Sequence, residues 1–335
     1  MSTFSAWSQA WWRYGPHAFF TSVWSDYLPL PILSFAPLAP LAAWLNLPFE
    51  VVFKVTHSIV EMGLIALIPG LSLAARSVLL LLPPLIGDTA YWGQVDAVPA
   101  LLGVLAVTHL NARSRKIWPA FFLGLAVAYK PIMVLIAPVA WIVSLKRGWR
   151  VWELPLFSAL ICLATGIPTG GWQAATHLWS RVFDQAGTYP YLTVNAFNLY
   201  SLVPNLAWIP DRESVLSVSG HLLGLTLFGA SAIRLLLVWR AHAWQPKYAP
   251  RLAATLLIAF YTFTTRMHER HLLFGLPFLA LAAGEESFLL LPLSLLSATF
   301  LLNLYGAYFW VFHGQSWPFS TDVISLASWV NVLVA

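Results

Sequence analysis

The chain has 335 residues, of which 59% are hydrophobic and only 9% are charged, and its formal net charge at pH 7 is +5. Soluble domains carry about 25% charged residues, so the composition excludes an ordinary soluble enzyme and predicts an all-α, polytopic membrane protein. The length suits about ten spans of about 20 residues each. The single cysteine, Cys162, excludes a disulfide within the chain.

Basic residues are grouped in three short loops between apolar runs. The loops are NARSRK (111–116), KRGWR (146–150) and RAHAWQPKYAPR (240–251). Cytoplasmic loops of membrane proteins are enriched in Lys and Arg. We therefore place all three loops in the cytoplasm and expect no nucleic-acid partner, because this clustering is typical of membrane topology.

In chain order, the first membrane-related segment is the proline-rich stretch SDYLPLPILSFAPLAPLAAWL (25–45). Its prolines make it a poor spanning helix, so we predict a re-entrant or surface-lying segment on the outer face. Asp26 stands at its start. The carboxylate of Asp26 either caps the following helix or serves a site, and the sequence leaves both open.

The next apolar runs are predicted to cross the membrane. KVTHSIVEMGLIALIPG (54–70) runs inward and LAARSVLLLLPPLI (73–86) outward, which places GDTAYWGQVD (87–96) outside as a loop. VDAVPALLGVLAVTHL (95–110) then returns to the cytoplasm. The polar candidates in the outer loop are Asp88, Gln94 and Asp96. Alternatively, Gln94 and Asp96 bond only the local backbone.

The segment between the first two basic loops is predicted to be a hairpin. As one straight helix, 117–145 would reach about 43 Å, and a single crossing would put its basic ends on opposite sides. Two half-depth helices that return to the same side fit the charges better. Lys130 marks the tip, because proline disfavours helix at the preceding residue. The alternative is one long tilted helix. A lysine at half depth needs a partner, and a phosphate would serve.

The rest of the chain is predicted to rise over 152–168, loop outside over 169–212, descend over 215–239 and rise over 251–265, so that RMHERH (266–271) lies outside. The polar candidates here are Asn195, Asn198, Arg266, His268, Glu269 and Arg270. The asparagines either bind a hydroxyl-rich ligand or fix a loop. The arginines either bind phosphate or contact lipid headgroups. HERH lacks the spacing of a zinc motif, so we expect no metal and no cofactor.

Four polar segments are thus expected on one outer face. They are Asp26, 87–96, 169–212 and 266–271. Converging ionisable groups at a membrane mark a functional site. Together they offer a carboxylate as a base, cations that suit phosphate, and a cavity rich in aromatic and amide groups. These properties suit a polar sugar carried by a lipid phosphate.

Five motifs resemble those of bacterial integral-membrane glycosyltransferases of the GT-C type, most of all the Gpi18-like mannosyltransferase group. The motifs are WSDYLPLPIL, LPPLIGDTAYWGQVDAVPALLGVLAV, LGLAVAYKPIMVLIAP, YPYLTVNAFNLYSL and RMHERHLLFGLPFLAL. The resemblance covers about residues 4–285 and implies a bundle of about nine to eleven helices, some of half depth, around an outer-face cavity. We therefore expect residues 1–335 to form a single transmembrane domain. The family's first helix is expected to be missing before residue 1.

The resemblance also implies roles for particular residues. DYLP resembles the family's Asp-Tyr-Pro-Pro, which gives Asp26 the role of base on the acceptor hydroxyl, although Leu28 replaces the first proline. The resemblance places the donor phosphate near Lys130, Arg266, His268 and Arg270. The other candidates are substrate-binding positions: Asp88, Gln94, Asp96, Asn195, Asn198 and Glu269.

The function expected from this resemblance is transfer of a hexose, with mannose the expected sugar, from a polyprenyl-phosphate donor to a lipid or glycan acceptor. The expected location is the inner membrane, crossed several times, with the site on the periplasmic face. Membrane lipids are the other expected partners. Two alternatives remain: a non-catalytic membrane subunit that keeps the fold, and a lipid or solute transporter.

Overall fold

The computed structural model describes residues 2–112, 114–171, 187–202, 208–314 and 316–335. The described part of the chain is mostly helical, and two short strands, Ser214–Val215 and Val218–Ser219, form an antiparallel hairpin. The all-α prediction is confirmed. Two parts of the predicted outer loop, 172–186 and 203–207, and Arg113 of the first basic loop lie outside the described residues.

The chain divides into two compact units. Unit 1 comprises Met1–Leu71 and Thr89–Thr188, and unit 2 comprises Ser72–Asp88 and Tyr189–Ala335. The described helices of unit 1 are Ser2–Ser22, Pro29–Phe35, Leu38–Leu45, Phe49–Ala66, Ala97–Asn111, Ile117–Tyr129, Ala137–Lys146 and Glu153–Ala164. Its 3-10 segments are Pro131–Ile136 and Ile167–Thr169.

The helices of unit 2 are Leu73–Leu80, Pro83–Ile86, Gly220–Ala241, Ala249–Phe263, Leu276–Glu285, Leu290–His313 and Thr321–Val334. Its 3-10 segments are Leu199–Leu202, Pro246–Tyr248, His271–Gly275 and Ser287–Leu289. A π-helical segment, Gly87–Trp92, crosses the boundary between the units. This segment corrects the prediction of an outer loop over 87–96, because its first part is helical.

In the described part of the chain, two helices are long and apolar enough to cross a membrane, Gly220–Ala241 and Ser287–Val311. A bent pair, Leu73–Leu80 with Pro83–Trp92, would make a third candidate span. Several other apolar helices have 10–17 residues, and a helix of about 15 residues reaches only about 22 Å, less than a hydrocarbon core of about 30 Å. The larger number of crossings therefore stays a prediction.

The N-terminal part of unit 1 is broken into short pieces. Helix Ser2–Ser22 is kinked at Gly15, whose φ of 80° is left-handed, next to Pro16. The proline-rich stretch forms two short helices, Pro29–Phe35 and Leu38–Leu45. The prediction that this stretch is not a single spanning helix is confirmed.

The two basic loops flanking 117–145 lie at the same end of unit 1. Lys116 Nζ is 2.6 Å from Glu153 Oε2, and the Lys116 ammonium lies 5.4 Å from the centre of the Trp149 ring. Arg147 Nη2 donates a hydrogen bond of 2.9 Å to the carbonyl oxygen of Asn111. The hairpin is therefore confirmed, since a single straight crossing would separate these loops. Which side of a membrane they face stays a prediction.

Close backbone approach fixes the first arm of the hairpin against helix Glu153–Ala164. A Cβ added at Gly124 would lie 2.6 Å from the carbonyl oxygen of Ser158 and 2.9 Å from Ile161 Cβ. Any larger residue at this position must push the two helices apart. The hairpin tip, with Lys130, is positioned by this packing.

In unit 2, two buried asparagines hold the segment 194–198. Asn303 Oδ1 accepts the Phe197 N–H at 3.0 Å, and Asn303 Nδ2 donates to the Asn195 carbonyl oxygen at 2.7 Å. Asn331 Nδ2 donates to the Phe197 carbonyl oxygen at 2.7 Å. Helices Leu290–His313 and Thr321–Val334 thus serve as a rigid support for a loop that contains two candidate residues.

Candidate functional site

Lys130 stands where the hairpin turns. Its backbone is extended, with φ −142° and ψ 113°, and its N–H caps helix Ile117–Tyr129 by bonding the Ala126 carbonyl oxygen. Pro131 opens the following 3-10 segment. The Lys-Pro pair thus breaks the helix as the sequence predicted.

The lysine ammonium meets an acid and an aromatic ring. Lys130 Nζ lies 3.1 Å from Asp96 Oδ1, whose side chain is fully buried, and 4.5 Å from the centre of the Tyr27 ring. The Tyr27 hydroxyl donates a hydrogen bond of 3.4 Å to Gln94 Oε1. We call these four residues, Tyr27, Gln94, Asp96 and Lys130, the Lys130 cluster. It joins three of the predicted motifs, DYLP, WGQ-D and KP.

Asp96 and Gln94 do more than bond the local backbone. Asp96 precedes helix Ala97–Asn111 but its side chain makes no capping hydrogen bond. The ammonium of Lys130 and the positive end of the helix dipole both stabilise a negative charge at this position. Both residues therefore serve contacts distant in sequence.

Asp26 lies at a bend beside this cluster in the chain. The Ser25 hydroxyl accepts the Tyr27 N–H at 3.1 Å, which tightens the turn around Asp26. The next helix has Leu28 as its N-cap and no side-chain capping bond, so the capping alternative for Asp26 is wrong. Its carboxylate is half-buried, and among the described residues none bonds it or pairs with it.

A second polar group supports the hairpin tip from within unit 1. The Tyr129 and Ser34 hydroxyls lie 2.8 Å apart, and Ser34 Oγ is 3.5 Å from His57 Nε2. Glu61, four residues after His57, accepts a hydrogen bond at Oε1 from the Thr89 hydroxyl. The sequence analysis missed these residues, although Tyr129 precedes Lys130 and Ser34 lies in the proline-rich stretch.

In unit 2, a buried acid gathers the groups around Arg266. Asp211, with 1% of its side chain exposed, lies 2.7 Å from Arg266 Nε and 3.5 Å from His221 Nδ1. Thr265 Oγ1 donates to the same Asp211 oxygen at 3.3 Å. We call Asp211, His221, Thr265 and Arg266 the Asp211 cluster. The sequence analysis did not select Asp211, although acidic residues are rare in this chain and each is therefore a candidate.

Arg266 also has an unusual backbone. Its φ is 66°, in the left-handed region that costs free energy for a residue with a Cβ. The Arg266 N–H bonds the Tyr191 carbonyl oxygen at 2.9 Å. This bond and the contact with Asp211 hold the junction between helix Ala249–Phe263 and the 3-10 segment His271–Gly275. Helix Ala249–Phe263 ends before 266–271, and the outer-face location of this stretch stays a prediction.

The remaining residues of the MHER motif pair with one another. Arg270 Nη1 donates to Glu269 Oε1 at 2.8 Å, and His268 Nδ1 lies 4.0 Å from Glu269 Oε2. The His268 and His271 rings meet with their centres 5.2 Å apart. Glu269 is buried, so its contact with Arg270 fixes the guanidinium of Arg270 for any further ligand.

The two candidate asparagines take part in the loop itself. Asn198 Oδ1 accepts the Tyr200 N–H at 3.1 Å, and Asn198 Nδ2 donates to the Thr264 carbonyl oxygen at 3.2 Å. Asn195 Oδ1 accepts from Trp208 Nε1 at 3.3 Å. These contacts favour the loop-fixing alternative. Burial, with the nearby charge of Asp211, raises the pKa of Tyr200 to about 12, so its hydroxyl stays protonated.

The predicted residues thus fall into two groups. Gln94, Asp96 and Lys130 come together in unit 1, beside Asp26 in the chain. Arg266, His268, Glu269 and Arg270 come together in unit 2 with Asn195, whose backbone pairs with His268. Asp88 is fully buried in the π-helical segment. The single outer face expected to unite these groups stays a prediction.

Three cavities in the described residues lie elsewhere. One of about 580 Å³ in unit 2 is lined by Trp239, Lys247, Arg251 and Glu286 among others. An apolar one of about 690 Å³ is lined by both arms of the hairpin and by helix Glu153–Ala164, and one of about 340 Å³ lies at the hairpin base. The outer-face cavity stays a prediction.

Comparison with known proteins adds no family assignment. No protein-family model matches the chain, and no curated protein is significantly similar to it.

Proposed function

We propose that the chain transfers a hexose, with mannose the expected sugar, from a polyprenyl-phosphate donor to a hydroxyl of a lipid or glycan acceptor. The observation that carries this proposal is the Lys130 cluster beside Asp26. It combines a cation held in a fixed place with a carboxylate that has no polar partner among the described residues.

The chemistry asked of Asp26 is general-base catalysis. As the acceptor oxygen attacks the anomeric carbon, the Asp26 carboxylate takes the hydroxyl proton. The bond between the anomeric carbon and the phosphate oxygen breaks, and the phosphate leaves with the electron pair. Attack from the face opposite the leaving group inverts the anomeric configuration. Such assistance contributes about 10²–10⁴-fold to a rate.

Lys130 suits the leaving phosphate or the acceptor's oxygens. An ammonium stabilises the negative charge that develops on a departing phosphate. The Lys130 side chain is 17% exposed, so it lies at the edge of the packed interior. Asp96 and Tyr27 restrict its motion, so that a ligand need not supply the full entropic cost of ordering this side chain.

The proposal assigns Arg266, His268 and Arg270 to the donor phosphate, as the resemblance implies. The contacts in unit 2 support rigid presentation of the two arginines, since each meets a buried carboxylate. A phosphate must bind alongside these carboxylates or displace them. Planar guanidinium groups can still orient an anion through several donors.

The test uses the full chain in purified membranes or neutral detergent. It is incubated with polyprenyl-phosphate mannose or polyprenyl-phosphate glucose and a mixed pool of lipid and glycan acceptors. Products are identified by mass analysis. A product heavier than its acceptor by one hexose, formed only with the lipid-phosphate donor, supports the proposal.

Absence of transfer by the wild-type chain with either donor would contradict the mechanism, provided that a cooperative thermal unfolding transition shows that the chain is folded. Donor binding without transfer would favour the non-catalytic membrane subunit. Movement of intact donor across a vesicle membrane, again without transfer, would favour the transporter.

A further inference from the structure

The base of the hairpin in unit 1 contains a small cavity whose walls are cationic. It has a volume of about 340 Å³ and is lined by Ser114, Lys116, Pro119, Lys146, Arg147 and Trp149 among others. This volume is at the small end of ligand pockets, which span about 300–1,000 Å³. It suits a compact head group and not a sugar-lipid as a whole.

The charges on this cavity are unbalanced. Among the described residues, three cationic side chains line it and no carboxylate does. Glu153 lies close by, but it bonds Lys116 at 2.6 Å and the Arg150 N–H at 2.8 Å. Lys146 is exposed, and among the described residues none forms an ion pair with it. The cavity therefore attracts anions.

Arg147 carries a more specific signal. One end of its guanidinium donates to the Asn111 carbonyl oxygen at 2.9 Å, which fixes its plane. Its Nε–H is buried and has no acceptor in the described part of the chain. A buried donor without an acceptor costs free energy, and an oxygen of a bound anion would satisfy it.

The backbone also contributes positive charge to this cavity. Lys116 is the N-cap of helix Ile117–Tyr129, a helix of 13 residues, and Pro119 lies in its first turn. The N-terminal end of a helix carries partial positive charge. Cations, a fixed guanidinium and a helix N-terminus thus surround one compact space.

We propose that this cavity binds a phosphate group. The expected source is the head group of an anionic phospholipid, because the loops around the cavity have the basic composition that anionic lipid surfaces attract. Free phosphate offers the same chemistry. The proposal does not depend on hexosyl transfer, since it concerns a different set of residues.

The experiment measures binding of phosphatidylglycerol, of diacylglycerol with the same acyl chains, and of inorganic phosphate to the full chain in neutral detergent. Native mass spectrometry counts bound molecules. We expect phosphatidylglycerol to bind at one saturable position and diacylglycerol not to bind there. Competition by inorganic phosphate at similar concentration would identify free phosphate as a ligand, and lack of competition would identify the lipid head group.

Two double variants give a matched comparison. Lys146→Gln with Arg147→Gln removes two cations that line the cavity and should weaken binding about tenfold or more, as expected for loss of a charge-assisted hydrogen bond. Arg115→Gln with Arg150→Gln removes two cations from the same loops that do not line it. This control should bind as wild type does.

The single variant Lys146→Gln should fold normally, because this side chain is exposed and forms no bond with a described residue. It should weaken binding severalfold without lowering the unfolding temperature measured in the absence of lipid. Equal loss in the two double variants would overturn the proposal. So would failure of both phosphatidylglycerol and inorganic phosphate to bind wild-type chain.

Discussion

In unit 1, one lysine meets one buried acid and one aromatic ring, whereas in unit 2 one buried acid meets an arginine, a histidine and a threonine. Beside the Lys130 cluster, Asp26 is half-buried and makes no bond to a described residue. The Asp211 cluster, in contrast, includes a left-handed backbone at Arg266 and fixes a junction between helices.

This difference separates two uses of charge in an apolar chain. A carboxylate that must take a proton needs to be reachable, which Asp26 satisfies. Charges that bond one another rigidify a structure, and they are ready for a ligand only if it joins or replaces the existing contacts. We therefore expect unit 1 to dominate proton transfer, and unit 2 to act through shape and orientation.

The largest expected effect is loss of turnover in Asp26→Asn. The amide keeps the size of the side chain but cannot take the proton, so transfer should fall about 10²–10⁴-fold while donor binding persists. The measurement is the rate of hexose transfer with polyprenyl-phosphate donor. Asp322→Asn, at an exposed acid of the C-terminal helix, is the control and should keep the wild-type rate.

The same assay compares the two units directly. Glu269→Gln should reduce transfer less than Asp26→Asn, because Glu269 is buried against Arg270 and Asp26 is the proposed base. If Glu269→Gln abolishes transfer and Asp26→Asn does not, the base lies in unit 2 and the comparison between the units is reversed.

The next effect concerns stability. Lys130→Met removes the ammonium from a fully buried Asp96 and should cost about 3–5 kcal/mol, the range for breaking a buried ion pair. The measurement is the free energy of unfolding in mixed micelles. Adding Asp96→Asn to Lys130→Met should recover part of the loss, since the remaining buried group is then neutral.

Arg266→Met provides the contrast in unit 2. His221 and Thr265 still contact Asp211 in that variant, so the loss of unfolding free energy should be smaller, about 1–3 kcal/mol.

If Asp96→Asn fails to recover any stability in the Lys130→Met background, the side chains of Asp96 and Lys130 are not energetically coupled.

How far the sequence predicted this structure depends on the kind of signal. Charge parity and a Lys-Pro pair predicted the hairpin, because both act locally: the charges select a side and proline breaks a helix. Prolines likewise predicted the broken stretch 25–45. The π-helical segment at 87–92 was missed, since its hydrogen-bond register depends on packing and leaves no local pattern.

Pairing between distant residues was the part that the sequence could not supply. Asp96 and Lys130 were both candidates, but nothing in either motif indicates that their side chains meet. Asp211 was missed entirely, because its partners come from segments far along the chain. For the same reason, Asn198 was a candidate ligand in the sequence and a loop-fixing residue in the structure.

A third prediction compares close packing in the two units. Gly124→Ala in unit 1 and Gly224→Ala in unit 2 each place a Cβ less than 3 Å from backbone oxygen, at 2.6 and 2.7 Å. Each should lose about 1–3 kcal/mol of unfolding free energy through overpacking. Gly124→Ala should also lower transfer, because the hairpin arm that ends at Lys130 moves.

Two helical glycines are matched controls for this pair. A Cβ at Gly63 or Gly229 would meet nothing within 4 Å, so alanine there should be neutral or stabilise by up to about 1 kcal/mol. Equal stability of Gly124→Ala and Gly63→Ala would show that the hairpin is not packed as described.

The smallest effect is expected at an exposed ion pair of each unit, Lys116 with Glu153 and Arg251 with Glu286. Lys116→Met should lower the unfolding temperature only slightly at pH 7, because solvent and salt screen an ion pair near the surface. Arg251→Met is the corresponding change in unit 2, and a shift at pH 7 as large as that of Lys130→Met in either variant would contradict the small contribution expected of exposed pairs.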